Sequence, residues 1–273
     1  MIVTAHIPRT PLNHFIDLIW FHEGLNSPHQ LERVLPEASI ELIINLRDET
    51  RHTFDPTSHQ PQQSYRRSWL SGPHSKFIVI DTAPNASMIG VHFKPGGANA
   101  FFSMPLSELR NDVVALEVFW KGAAASLRDQ LLEAATPTDK FRILEDALLA
   151  RQRGRESTHP AVQYALDCFI RQPQGLSVGD ITDKISLSPR RFIELFNDEV
   201  GMTPKLFSRV RRFQRALEEI QRRRNLRWAE LAPDCGYYDQ ARFICDFKEF
   251  CGLTPADYLN QAPEYPNFVP IPA

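Results

Sequence analysis

One stretch of this chain, residues 188–255, is written twice. Ser-Pro-Arg-Arg-Phe-Ile at 188–193 returns as Asp-Gln-Ala-Arg-Phe-Ile at 239–244, and Gly-Met-Thr-Pro at 201–204 returns as Gly-Leu-Thr-Pro at 252–255. Arg191, Phe192, Ile193, Phe196, Gly201, Thr203 and Pro204 recur as Arg242, Phe243, Ile244, Phe247, Gly252, Thr254 and Pro255, each 51 positions later. The segment before each copy repeats at an offset of 50. Val178, Ile181, Thr182 and Ile185 step at i, i+3, i+4, i+7, and Trp228, Leu231, Ala232 and Cys235 do so again, which is the spacing of one helix face. Each copy therefore predicts a helix, a short turn and a second helix. Ser188 and Asp239 offer side-chain oxygens to the free N–H groups at the start of that second helix. Gly201 and Gly252 tolerate the left-handed backbone at its end. Two helix-turn-helix units result.

The face that each second helix leaves to solvent separates packing from recognition. Over residues 189–200, Phe192, Leu195 and Phe196 form a core stripe, while Arg190, Ile193, Glu194 and Asn197 form another at i, i+3, i+4, i+7. In the later copy Phe243, Phe247 and Phe250 are core candidates, and Gln240, Ala241, Arg242, Ile244 and Cys245 face outward or sideways. A recognition helix enters the major groove with its N-terminal residues toward base edges, and Arg190, Arg191, Gln240 and Arg242 sit in those first turns.

Between the units, Leu206, Val210, Phe213, Leu217 and Ile220 step by fours and threes from Pro204 to about Arg224, one amphipathic helix with proline at its first position. At about 1.5 Å per residue it spans roughly 30 Å, close to the ~34 Å between successive major-groove turns on one duplex face. Its outer side carries Lys205, Arg209, Arg211, Arg212, Arg215, Arg222, Arg223 and Arg224, a supply of phosphate contacts. Ser188, Lys205, Arg209, Arg212 and Lys248 are the candidate phosphate-binding residues.

Residues from about 159 to 260 resemble the DNA-binding domain of the AraC-type transcription regulators. The resemblance rests on 188–196, 201–204, 212–217, Leu231-Ala232, Gly236-Tyr237, Asp239-Gln240, Phe247-Lys248 and 252–255. It implies a cytoplasmic, sequence-specific bacterial regulator, activator or repressor, whose two units read one promoter site. Its base-reading positions fall on Arg190, Ile193 and Glu194 in the first helix and on Gln240, Ala241, Arg242, Ile244 and Cys245 in the second. Three departures mark the second unit: Pro233 inside its first helix, Arg242 where the family often has histidine, and Cys245 and Asp246 in place of polar or basic residues. The expectation is that the first unit carries most base discrimination.

The rest of the chain predicts a separate domain, for an α+β, two-domain protein: 1–152 for effector sensing or dimerisation, 153–262 for DNA binding, and 263–273 as a proline-rich tail, loose or laid on the surface. The net charge of −2 hides a split, with basic residues concentrated in the second half and the acidic excess in the first. Residues 15–23, 40–46, 76–81 and 88–93 read as strands, in a cupin-like antiparallel barrel or sandwich, with 53–65 as a mobile loop. Helices are expected at 98–103, 106–120, 124–135 and 138–152, either pairing two subunits or packing on their own β domain, and 151–158 is the linker. This half also resembles the poorly characterised N-terminal regions that precede such DNA-binding domains in a subset of the family, through Val34-Leu35-Pro36, 40–45, Ser71-Gly72-Pro73-His74 and 90–97. The glycines after Pro95 serve a tight turn, or an anion at a helix start.

The histidines of the first half are scattered without a His-x-His pair, so a metal-dependent barrel enzyme ranks below a sensor. No nucleophile elbow, P-loop or dinucleotide fingerprint occurs. The four cysteines, Cys168, Cys235, Cys245 and Cys251, form no C-x-x-C pair and suit a reducing cytosol as structural thiols rather than metal or redox sensors. No apolar run reaches membrane-spanning length, and residues 1–11 lack the regions of a signal peptide. The expectation is a non-enzymatic regulator without cofactor or metal that binds double-stranded DNA, with a small-molecule effector, RNA polymerase and a second copy as further candidate partners. The alternative is a small-molecule-binding barrel or enzyme whose helical half mediates protein interaction.

Overall fold

The computed structural model describes residues 1–152, 158–171, 178–222, 227–261 and 263–272. Most of the expected linker, and Arg223 and Arg224 at the end of the spacer, lie outside the described residues.

Alternation along residues 40–44 sets the first layer: Ile40, Leu42 and Ile44 are buried, and Glu41 and Ile43 between them are half-buried. The strands are β1 (Ile2–His6), β2 (Ile16–Leu25), β3 (Leu31–Val34), β4 (Ile40–Asn45), β5 (Arg51–Phe54), β6 (Pro61–Tyr65), β7 (Ser68–Ser71), β8 (Ile78–Asp81), β9 (Ala86–Phe93), β10 (Val113–Ala115) and β11 (Phe268–Ile271). They form two antiparallel sheets, ordered β1-β2-β9-β4-β7-β10 and β11-β3-β8-β5-β6. The arrangement is a sandwich and does not close into a barrel. Register places Leu42 opposite both Val91 and Leu70, and Ile44 opposite Ile89.

One face of the six-stranded sheet is covered by the helices that follow it: α1 (Glu117–Trp120), α2 (Gly122–Glu133) and α3 (Pro137–Leu149). Leu127, Leu131, Leu144 and Leu148 join Leu42, Ile44, Ile89 and Val91 in a single buried cluster, so these helices pack on their own β domain. Arg128, 7% exposed, ties α2 to the end of β4 by donating to Asn45 O (2.8 Å) and Arg47 O (2.9 Å).

Three expectations fail here. Residues 53–65 are mostly a β5–β6 hairpin, with Arg51 opposite Tyr65. Residues 106–120 hold a 3-10 turn (Leu106–Leu109), β10 and α1, because Asn111 takes a positive φ of 60° that a helix cannot continue through. The expected helix at 98–103 is a 3-10 turn at Gly97–Ala100. In the preceding turn Gly97 N–H donates to Lys94 O (2.7 Å) and Asn99 N–H to Gly96 O (3.2 Å), so these amides serve the turn itself.

The second half contains α4 (Pro160–Arg171), α5 (Val178–Thr182), α6 (Pro189–Val200), α7 (Pro204–Arg222), α8 (Trp228–Asp234), α9 (Gln240–Cys251) and α10 (Pro255–Gln261). The repeated residues perform repeated work. Ser188 Oγ accepts from Arg191 N (3.3 Å) and Asp239 Oδ1 from Arg242 N (2.7 Å). Gly201 and Gly252 end α6 and α9 at φ 87° and 75°. Thr203 and Thr254 then cap α7 and α10, each hydroxyl accepting from the amide three residues on. Phe192, Phe196, Phe207, Phe213, Phe243 and Phe247 are fully buried in one cluster.

The two halves share that cluster. Leu35 and Ala38 of the first half belong to it, as does Val269. The tail is neither loose nor superficial: β11 pairs antiparallel with β3, Val269 opposite Arg33, and Val269 and Ile271 are 0% and 7% exposed. Gln214 of α7, itself 7% exposed, donates to Pro36 O (2.8 Å) and Asn267 Oδ1 (2.9 Å), joining spacer, first half and tail.

Candidate nucleic-acid interface

The helical repeat leaves the first turns of α6 and α9 free. On α6, Arg190, Arg191, Ile193 and Glu194 are exposed. Arg190 Nε lies 3.0 Å from Glu194 Oε1 and Arg191 Nη1 3.8 Å from Glu194 Oε2, with the Arg190 side chain 90% exposed. Exposed i, i+4 pairs of this kind are worth a few tenths of a kcal/mol, so both arginines are cheaply released toward an acceptor. Arginine suits guanine O6 and N7, and a carboxylate suits cytosine N4. Asn197, further along the helix, is half-buried with Oδ1 3.4 Å from Arg110 Nη1. That contact turns it toward the first half of the molecule.

On α9, Gln240, Ala241, Arg242 and Cys245 are exposed, whereas Ile244 is half-buried against the helical core. Arg242 is held by its own helix, since its Nε lies 3.2 Å from Oδ1 of Asp246, a carboxylate with no exposed surface. Asp246 also anchors Arg209 of α7 through Oδ1 (2.9 Å to Nη2) and Oδ2 (3.3 Å to Nε), and Arg209 Nη2 continues to Glu249 Oε2 at 2.5 Å. The guanidinium of Arg209 stacks 5.0 Å from the Phe250 ring centroid. Burial opposes the charge on Arg209, but the hydrogen bonds it donates to Asp246 and Glu249 outweigh that and hold the pKa above the ordinary arginine value.

Along the described part of the spacer most of the arginines have partners inside the protein. Nε and Nη2 of Arg209 are both engaged by carboxylates of α9. Arg212 donates to Gly236 O (3.3 Å) and lies 5.5 Å over the Tyr237 ring. Arg211 is half-buried, which lowers its pKa, and Arg215 and Arg222 both pair with Glu219 (3.3 and 3.6 Å). Of the candidate phosphate residues, Ser188, Lys205 and Lys248 stay exposed. Ser188 uses an oxygen lone pair as the α6 cap and keeps its hydroxyl proton for donation. Tyr238, 98% exposed immediately before the Asp239 cap, is a further candidate that sequence reasoning missed. Its signal was an aromatic residue beside Gly236-Tyr237 with no place in either helical stripe.

The opposite ends of α6 and α9 are both held by one segment of the first half. A Cβ on Gly201 would lie 2.5 Å from Pro73 Cγ and 3.0 Å from Leu106 O, and a Cβ on Gly252 would lie 2.6 Å from Phe77 Cε1. Phe77 N–H donates to Phe250 O (3.1 Å). Residues 73–77 thus bridge equivalent points of the two repeats, so the spacing of the units depends on the first half as well as on α7.

Among the described residues no group of three or more His, Cys, Asp or Glu is placed to hold a metal ion, and no helix is long and apolar enough to cross a membrane.

Residues 181–261 match the family model described as Helix-turn-helix domain, and residues 4–115 match that described as Domain of unknown function (DUF6597). A comparison with curated proteins finds no significant match. Among solved structures, the C-terminal domain of AraT, a response regulator from Geobacillus stearothermophilus, is 23% identical, covering 38% of this chain and 86% of that one at a TM-score of 0.36. An AraC-type transcriptional regulator from Chromobacterium violaceum is 21% identical, covering 38% of this chain and 94% of its own, at 0.35. ToxT from Vibrio cholerae is 10% identical over 89% of this chain and 98% of its own, at 0.48. At such values these likenesses concern the course of the chain alone. The chain thus joins an AraC-type helix-turn-helix domain at residues 181–261 to an N-terminal domain of uncharacterised function at residues 4–115, the composition of a DNA-binding transcription regulator.

Proposed function

We propose that the protein reads one bipartite DNA site by placing the first turns of α6 and α9 in successive major-groove segments. The observation that carries this is the repeated presentation: the same cap and the same buried phenylalanines leave Arg190, Arg191 and Glu194 in one unit, and Gln240 and Arg242 in the other, facing outward. Arg190, Arg191, Ile193 and Glu194 are the principal readers, with Gln240, Ala241, Arg242 and Cys245 as the weaker set. Asn197 and Ile244 contribute less, because each already has a protein neighbour. Ser188, Lys205 and Lys248 hold phosphates. The tie between Arg242 and buried Asp246 supports the imbalance between units, since recruiting Arg242 to a base means leaving a charge partner.

In this reading residues 1–152 regulate the DNA-binding residues 153–262, and the tail, 263–273, straps the two together. The N-terminal domain answers to a small-molecule effector, and RNA polymerase and a second copy of the chain are further partners. The protein is a non-enzymatic regulator working in the cytoplasm, where its four free cysteines remain reduced. The test is the salt dependence of binding to a selected duplex. Lys205 and Lys248 neutralise two phosphates, which gives a slope of log K against log salt of roughly −2 or steeper. A flat salt response with the full chain overturns the reading.

A further inference from the structure

Between the sandwich and the end of α9 lies a cation without a counter-ion. Arg33, at the middle of β3, is half-buried, and its Nε and Nη1 are buried without a hydrogen-bond partner. Among the described residues it forms no ion pair. Its guanidinium lies 5.7 Å from the Phe77 ring centroid. A buried charge left unpaired is unfavourable, and burial holds Arg33 below the ordinary arginine pKa. The neighbouring Cys251 thiol does not compensate, since burial pushes its pKa up to about 12 and keeps it neutral.

Arg33 faces an open cleft of about 670 Å³, shared with His59, Lys76, Phe77, Glu249 and Gly252. Small-molecule sites commonly fall in the range of roughly 300–1,000 Å³. Lys76 is exposed on the rim. Glu249 is the carboxylate in this lining, and it is engaged by Arg209 at 2.5 Å. The cleft therefore offers two cations, an aromatic face and no free acid.

We propose that this cleft binds a small organic anion, a carboxylate or phosphate monoester with an apolar body, its charge on Arg33 and Lys76 and its body on the Phe77 ring. This deepens the effector reading above by giving the effector a place and a charge. Phe77 rests on Gly252, the residue that ends α9, and its amide donates to Phe250 O. A ligand seated there touches the contact by which the first half of the molecule holds the second recognition helix.

The test uses the full-length protein without DNA, so that failure of the DNA reading leaves it intact. Isothermal titration and thermal shift are run with 4-phenylbutyrate, phenyl phosphate, inorganic phosphate and neutral 4-phenylbutanol, on wild type, Arg33→Met and Lys76→Ala. At least one aryl anion is expected to bind and raise the melting temperature, the neutral alcohol to bind at least tenfold more weakly, and each variant to lose about ten- to a hundredfold in affinity. The tighter of the two aryl anions identifies the head group. Lys76→Ala keeps the test valid if Arg33→Met unfolds. Binding of the alcohol as tightly as the anions, unchanged affinity in a folded variant, tightest binding by bare phosphate, or no stabilisation by any anion would overturn the site. In each case an effector elsewhere in the N-terminal domain remains open.

Discussion

Replacing Asp246 by alanine is expected to destabilise the protein by about 3–5 kcal/mol, the usual consequence of breaking a buried pair by removing one partner. The carboxylate has no exposed surface and the Arg209 side chain is only 16% exposed, so the pair is shielded from solvent screening. The substitution removes both hydrogen bonds to Arg209, at 2.9 and 3.3 Å, and leaves that guanidinium with Glu249 alone. Charge-assisted bonds contribute about 1.5–3 kcal/mol each, and the relief of no longer burying a carboxylate offsets part of the sum. Arg209→Ala should cost a similar amount. Arg242→Ala should cost less than about 1 kcal/mol, because that side chain is 54% exposed and Asp246 keeps Arg209. Urea denaturation of the full chain reads these differences as shifts in midpoint at constant m. The reasoning is wrong if Asp246→Ala costs under about 1 kcal/mol, or if Arg242→Ala costs as much as Arg209→Ala.

Gly252→Ala should cost about 2–4 kcal/mol, from a φ of 75° and a Cβ placed 2.6 Å from Phe77 Cε1. Combining it with Phe77→Ala should cost at least ~1 kcal/mol less than the sum, which a double-mutant cycle measures. Deleting residues 263–273 removes the buried side chains of Val269 and Ile271, and should lower stability by about 3–6 kcal/mol at ~1.5–3 kcal/mol per buried side chain, as seen by urea denaturation. His74, with Nε2 3.1 Å from Ser71 Oγ, is lowered by burial to a pKa of about 4 against the charges of Asp112 and Glu41, which favour its protonated form. The unfolded chain takes up that proton first, so stability present above about pH 6.5 is lost as the pH falls toward 4, by up to about 3 kcal/mol. His74→Asn should flatten that limb of the stability–pH profile.

The helical repeat was legible because its determinants are local. Ser188, Asp239, Gly201 and Gly252 act within a turn of where they stand, and the phenylalanine stripes follow directly from helical period. The partners of the arginines were not legible. Arg209 reads as a solvated cation on a helix face until the fold brings Asp246, 37 residues later, beneath it. Residues 106–120 misled for the opposite reason: Leu106, Leu109, Val113, Leu116 and Trp120 keep helical spacing and are all buried, but they share no helix, and Val113 packs with Trp69 and Met88 in a cluster apart from the other four. The β5–β6 hairpin was hidden because Pro61, Gln62, Gln63 and Ser64 are all exposed and show no alternation. Strand β11 was hidden by its proline, which is tolerated because β11 is an edge strand. Of the interface, the outward set on α6 and α9 was readable, and its attachment to residues 73–77 was not.

Selection of bound duplexes from a random library by the full-length protein, repeated with Arg190→Ala and Gln240→Ala, tests the central claim most directly. The expected motif has two blocks centred about 10 base pairs apart. Arg190→Ala should erase preference at one base pair of the stronger block, at ~1–3 kcal/mol, and Gln240→Ala should touch only the weaker. A single undivided block, or a motif that neither substitution changes, would contradict the account.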